Sequence, residues 1–198
     1  ADASVLANGS YNVVATSNVA GTFVISIDGT EQCSGSTTSV DATTYTKTCS
    51  WIPSASGDYV ISVTFDPSNG SDYTSDAVDS YTQTVDKNIS SIAISGGTGI
   101  TYLSSGNVTY TANTAGAVVL KVCVSGTSTC TNKASVTLAW NETNQDYEYT
   151  YSWTPSAAGS WDLFAIFTPA DPGAWTTPSD SAASATVSVA KAAQTVTT

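Results

Sequence analysis

The chain repeats itself, and the repeat limits what it can fold into. The segment Ser50-Trp-Ile-Pro-Ser-Ala-Ser-Gly57 returns as Ser152-Trp-Thr-Pro-Ser-Ala-Ala-Gly159. The match continues without a gap: Tyr59 meets Trp161, Ile61 meets Leu163, Phe65 meets Phe167 and Pro67 meets Pro169. Beyond a short insertion, Val85-Asp-Lys87 meets Val189-Ala-Lys191. Upstream, Ala20-Gly21 meets Ala115-Gly116, and Phe23, Ile25 and Ile27 meet Val118, Leu120 and Val122. Each copy is therefore about 100 residues, the size of one β-sandwich domain.

Within each copy the periodicity is that of strands. Phe23–Ile27 and Val118–Val124 are β-branched runs. Tyr59–Phe65 and Val136–Trp140 alternate with period two, as half-buried strands do. Turn-forming residues lie between them, at Asp28-Gly29, Ser68-Asn-Gly70 and Asp171-Pro-Gly173. No segment carries a helical period with caps. The fold class expected is all-β, two tandem immunoglobulin-like β-sandwich domains.

The register also predicts an asymmetry. Copy two opens with a strand, Ile89-Ser-Ser-Ile-Ala-Ile94, whose counterpart in copy one would fall before Ala1. At the other end, Val189-Ala-Lys-Ala-Ala-Gln-Thr-Val-Thr-Thr198 aligns with Val85-Asp-Lys-Asn-Ile-Ser-Ser-Ile-Ala-Ile94. Val196 thereby takes the place of Ile92, and Ala193 that of Ile89. The expected organisation is an Ig-like domain lacking its first strand (1–87), a complete one (88–191) and a C-terminal donor strand (192–198). Ala193, Thr195, Val196 and Thr198 are the donor residues. A sandwich one strand short exposes unpaired N–H and C=O groups, a template for another chain. Pairing that edge with the tail of a neighbouring copy is β-strand addition. Such a head-to-tail contact propagates into a filament unless it closes a ring. The competing reading makes 192–198 a linker towards a further domain.

Composition narrows the function. Sixteen acidic residues against five lysines, with no Arg or His, give a net charge of −11. That opposes binding to nucleic acid or anionic membrane, which both need basic patches. No apolar run reaches the length of a membrane span. Without His, a Ser or Thr nucleophile would need Lys as its base, and no Ser–Lys motif or phosphate-cradling Gly loop is present. The chain is therefore not expected to be an enzyme, to need a cofactor or to hold a metal. The oxygen-rich Asp66–Asp72 lacks the closing Glu of a calcium loop and reads as a turn.

Four cysteines, an even number without His, favour disulfides and an oxidising, extracellular setting. Three pairings are open. Keeping each bond within one copy selects Cys33–Cys49 and Cys123–Cys130, staples of about 2–4 kcal/mol each. Sequons stand at Asn8, Asn69, Asn88, Asn107 and Asn141, making N-linked glycans expected partners on a surface with only 11% charged residues. Ser and Thr are abundant enough for several sequons to arise by chance. Lys87 and Lys191, at equivalent positions beside the closing strands, are the candidate isopeptide lysines. Solvated lysines at strand ends are the commoner case. Tyr147, Tyr149, Tyr151 and Trp153 share one strand face. They could form a sugar platform, as in an adhesin or carbohydrate-binding array, or the packing face of a sheet.

The stretches Trp51–Lys87 and Trp153–Lys191 resemble the bacterial and archaeal Ig-like repeats of surface proteins. Those repeats run Trp-x-Pro-x-x-x-Gly, an aromatic strand ending in Phe/Tyr-x-Pro, a Ser-rich segment and a closing strand before Lys. The resemblance covers about half of each copy and implies fold rather than ligand. The two Ig units, displaced strand, sequons and composition together resemble an archaeal surface thread, a filament of glycosylated subunits joined by donor-strand complementation. That resemblance implies a self-associating homopolymer on the cell surface.

Overall fold

The structure is a computed structural model and describes residues 5–73, 77–178 and 183–194. It divides into two units, Ala1–Asn88 and Ile89–Thr198. Both are β-sandwiches, and no helix occurs among the described residues.

Unit 1 contains β1 (Val5–Leu6), β2 (Tyr11–Ser17), β3 (Gly21–Ile27), β4 (Thr30–Ser36), β5 (Thr38–Ser39), β6 (Tyr45–Trp51), β7 (Gly57–Pro67) and β8 (Ala77–Asp86). One sheet runs β1-β8-β7-β3-β4 and the other β2-β6-β5. Alternation of buried and exposed residues sets the inner face: Phe23, Ile25 and Ile27 of β3, Ile61 and Phe65 of β7, Val13 and Ala15 of β2.

Unit 2 contains β9 (Ile92–Gly96), β10 (Gly106–Ala112), β11 (Gly116–Val124), β12 (Cys130–Thr137), β13 (Ala139–Asn141), β14 (Asp146–Trp153), β15 (Gly159–Pro169) and β16 (Ala183–Val189). Its sheets run β12-β11-β15-β16 and β13-β14-β10-β9. The core is built on Val108, Tyr110, Val118, Leu120, Leu163 and Phe167.

The hydrogen-bond registers superimpose the copies residue by residue. Phe23 faces Phe65 as Val118 faces Phe167, and Tyr11 faces Trp51 as Gly106 faces Trp153. A bulge interrupts both hairpins at the same place, between Ile25 and Ser26 and between Leu120 and Lys121. The Trp-x-Pro-Ser-Ala motif has a shared job. Trp51 and Trp153 are buried against Tyr59 and Trp161 in edge-on contacts, at 5.0 and 5.7 Å. The Tyr59 hydroxyl donates to the Ala55 carbonyl, and the Trp161 indole N–H to that of Ala157. The motif thus fixes the corner where the chain passes from one sheet to the other.

Two expected strands are corrected. Val136–Trp140 is not one strand: β12 ends at Thr137, Leu138 is buried, and β13 then pairs with β14. Alternation survives a change of partner strand, so periodicity does not register the switch. The opening strand of copy two spans Ile92–Gly96 rather than starting at Ile89, which is 78% exposed.

Candidate functional site: the open edge of unit 1

The units differ most at one edge. In unit 2, β10 has two partners, β14 on one side and β9 on the other. Ile92 lies opposite Ala112, Ile94 opposite Tyr110 and Gly96 opposite Val108. Strand β9 also packs on β15 and β16, which roofs that side of the core. In unit 1 the equivalent strand, β2, pairs with β6 alone among the described residues.

Unit 1 nevertheless keeps part of the opening segment. In unit 2 the chain leaves β9 through Gly96 and Gly97, at φ 85° and 74°, and crosses to the opposite sheet. A Cβ on Gly96 would collide with the Asn107 carbonyl, and one on Gly97 with Val187, so glycine is required twice. There Thr101 bridges to Ala190 in parallel. In unit 1, β1 runs parallel to β8 in the same way, with Val5 opposite Val85 and Leu6 opposite Asp86. The turn that follows also matches: Asn8 and Leu103 both have positive φ, and Gly9 and Ser104 donate to Leu6 and Thr101 at 3.0 Å. The half of the opening strand that pairs with the β8 sheet is thus present, and the half that would pair with β2 is not among the described residues.

Where β9 would lie, unit 1 has a cavity of about 400 Å³. Its walls are Val13 to Asn18, Phe23, Val63 and Phe65, closed by Val78, Asp79 and Tyr81 of β8. The lining is mainly apolar and the adjoining strand edge carries hydrogen-bonding groups without a ladder. An added strand would satisfy both needs together.

Of the proposed donor residues, Ala193 is exposed and outside any strand. Thr195, Val196 and Thr198 lie outside the described residues. The cysteines pair as Cys33–Cys49 and Cys123–Cys130. The first bond links β4 to β6 and so ties the two sheets of unit 1 together. The second joins facing residues of one hairpin, β11–β12.

The sequons fall into two groups. Asn8, Asn69 and Asn107 are exposed, whereas Asn88 and Asn141 are half-buried. The Asn88 amide donates to the Ala7 carbonyl at 2.7 Å, and that of Asn141 to Glu148 at 2.6 Å. The Asn141 side-chain oxygen also accepts from the Thr143 amide, closing a turn. Asn8 sits at φ 61°, which asparagine tolerates better than most residues. Several of these asparagines thus have local structural reasons to be there.

Three sequence readings concern particular side chains. Lys87 and Lys191 are exposed, and an isopeptide bond needs a lysine buried in an apolar pocket. Tyr147, Tyr149 and Tyr151 pack against the core and Trp153 is buried within it, so the aromatic stripe faces inward and offers no open platform. The Asp66–Asp72 loop is a turn: the Asn69 amide donates to Asp72, and the Ser71 amide to Asn69. Among the described residues no helix is long and apolar enough to cross a membrane.

The alignment of the copies missed the importance of Tyr81, Ala15 and Tyr110. Its signal was available: Tyr81 stands where copy two has Ala185, and Ala15 where copy two has Tyr110.

No known family's sequence profile matches the chain, and no curated protein matches it. Among solved structures it is similar to red sea bream transglutaminase, at 9% identity and TM-score 0.38, over 96% of this chain and 30% of that one. It is similar to a protein described as membrane-anchored from Corynebacterium diphtheriae, at 12% identity and TM-score 0.40, over 98% and 53%. A tetra-tandem repeat in the extending region of a large adhesion protein aligns at 15% identity and TM-score 0.40, over 90% and 50%. This chain spans about half or less of each.

Proposed function

We propose that the protein is an extracellular, non-enzymatic structural subunit that assembles head-to-tail by donor-strand complementation. Residues 192–198 of one copy complete unit 1 of the next. The observation that carries this reading is the contrast between β10, flanked on both sides, and β2, flanked on one side among the described residues, beside a mainly apolar cavity. The occupant is named by register: the segment after β16 carries Val196 and Thr198 where the segment after β8 carries Ile92 and Ile94. In this register Val196 to Thr198 take the places of Ile92 to Ile94, the first three of the five positions that β9 pairs with β10, and each backbone hydrogen bond added there is worth about 0.5–1.5 kcal/mol. These break together, so the contact would dissociate slowly. Exposed Asn8, Asn69 and Asn107 are the sequons best placed to carry glycans on such a thread.

Deletion of 192–198 tests the reading. The untruncated protein is expected to form polymers visible by negative-stain microscopy, and the truncated one monomers by analytical ultracentrifugation. Polymers from the truncated chain would overturn the assignment. So would closure of the β2 edge by a segment of the same chain.

A further inference from the structure

The cavity in unit 1 is not simply the space left by an absent β9. Its floor is built differently from the surface on which β9 rests. At the level of Ile94, unit 2 places an aromatic ring on β10 and a methyl group on β16: Tyr110 faces Ile94 across the ladder, and Ala185 faces Leu163. Unit 1 reverses the two. Ala15 stands on β2, and Tyr81 stands on β8 facing Ile61. The aromatic side chain has moved from one sheet to the other.

Its environment has changed with it. Tyr110 has no exposed surface, whereas Tyr81 is 40% exposed. The Tyr81 ring lines the cavity, and its hydroxyl lies 3.5 Å from that of Tyr11 on β2. It therefore spans the gap between the sheets along the side that β9 covers in unit 2. Ala15 leaves a hollow where Tyr110 fills the core. A strand entering along β2 in the register of β9 must pass Tyr81. If the ring turned over Ala15, the strand would have room and the hollow would be filled. Rotation of an exposed side chain is fast compared with strand docking.

We propose that Tyr81 gates the unit 1 slot and sets its specificity, leaving Tyr11 and turning over Ala15 when a strand of a second copy docks. This rests on the donor-strand reading above. The slot then admits a strand whose inward residues are small or β-branched, as Val196 and Thr198 are. Bulkier residues would compete with the ring for the same space.

The test uses the full chain, refolded at low concentration, with a fluorescent peptide of residues 190–198 in excess over the chain's own tail. Binding is read by anisotropy. Tyr81→Phe keeps the ring and is expected to bind like wild type. Tyr81→Ala is expected to weaken binding about tenfold or more, as loss of a well-packed interface aromatic commonly does. Ala15→Tyr with Tyr81→Ala rebuilds the unit 2 arrangement and is expected to recover most of that loss. This recovery separates gating from general damage to the fold. Equal peptide affinity for wild type and Tyr81→Ala would overturn the gate and leave donor-strand assembly standing. So would a double variant no better than Tyr81→Ala. A peptide that binds none of these chains, or binds equally well with Val196→Asp, would overturn both.

Discussion

The two units share a register, a bulge and a Trp-Pro corner, yet they close their sandwiches by different means. Unit 2 has β9 along its edge and a hydrophobic core packed around Tyr110. Unit 1 has no strand on that edge among its described residues and instead a covalent tie from β4 to β6. The positions in unit 2 matching Cys33 and Cys49 are Ala134 and Tyr151, both packed on the core. The reverse holds at the hairpin tip. Unit 1 turns through Asp28-Gly29, both at positive φ, the two-residue turn that suits strand twist. Unit 2 has a longer loop there and closes it with Cys123–Cys130. The disulfide of unit 1 thus joins its two sheets, whereas that of unit 2 closes the end of a hairpin. The difference teaches that an open edge need not mean a collapsed domain, provided the sheets are held by something other than that edge.

The largest test of this comparison is in the cores. Ile25 and Leu120 occupy equivalent sites at the bulge, and neither has exposed surface. Truncating either to Ala is expected to cost about 3–5 kcal/mol, the usual loss plus cavity term. Denaturant unfolding followed by domain-specific NMR signals should show Ile25→Ala shifting only unit 1 and Leu120→Ala only unit 2. With its edge open, unit 1 is expected to unfold first, and to gain stability when the 190–198 peptide is added. If unit 1 is already the more stable without peptide, the view of it as an incomplete sandwich breaks.

The disulfides should separate the units next. Cys33–Cys49 closes a separation of 16 residues and Cys123–Cys130 one of 7. Loop-closure entropy gives about 3 kcal/mol for the first and about 2 kcal/mol for the second. Replacing both Cys33 and Cys49 by Ser is expected to lower the unit 1 transition more than the matching double replacement lowers that of unit 2. Calorimetry at neutral pH measures both. Equal losses would mean that the inter-sheet tie does nothing special for the open unit.

Much of this was legible in the sequence for a physical reason. Strand identity is written in side-chain alternation, and internal repetition showed which strands correspond. Pairing the copies directed attention to the β2 edge, which has β6 as its one ladder partner among the described residues. The kink at Gly96-Gly97 was less legible. Two glycines say only that positive φ is allowed, not that the chain crosses sheets there. The split at Leu138 was hidden because alternation continues through it. The aromatic stripe 147–153 was ambiguous because period two gives a common face without saying whether that face is wet. The Tyr81/Ala15 exchange for Ala185/Tyr110 was visible only as two unrelated mismatches until the registers placed them across the same gap.

The smallest test appears only in alkali. Burial, reinforced by nearby Tyr151, pushes the Tyr110 phenol up to about 12. The folded state therefore holds this proton more tightly than the unfolded chain, where the phenol ionises near its ordinary value of 10. The stability linked to the neutral phenol is complete below about pH 10 and is lost as pH rises towards 12, because the folded core must then accept a phenolate or release it. Unit 1 has Ala15 at this position, so this ionisation has no counterpart in its core. Denaturation midpoints measured from pH 8 to pH 11.5 should therefore fall more steeply for unit 2. Tyr110→Phe keeps the ring and removes the titrating group. It should flatten the unit 2 profile above pH 10 and change little below it. An unchanged slope in Tyr110→Phe would show that Tyr110 does not hold its proton as the burial of unit 2 requires, and would remove this contrast between the closed core and the open one.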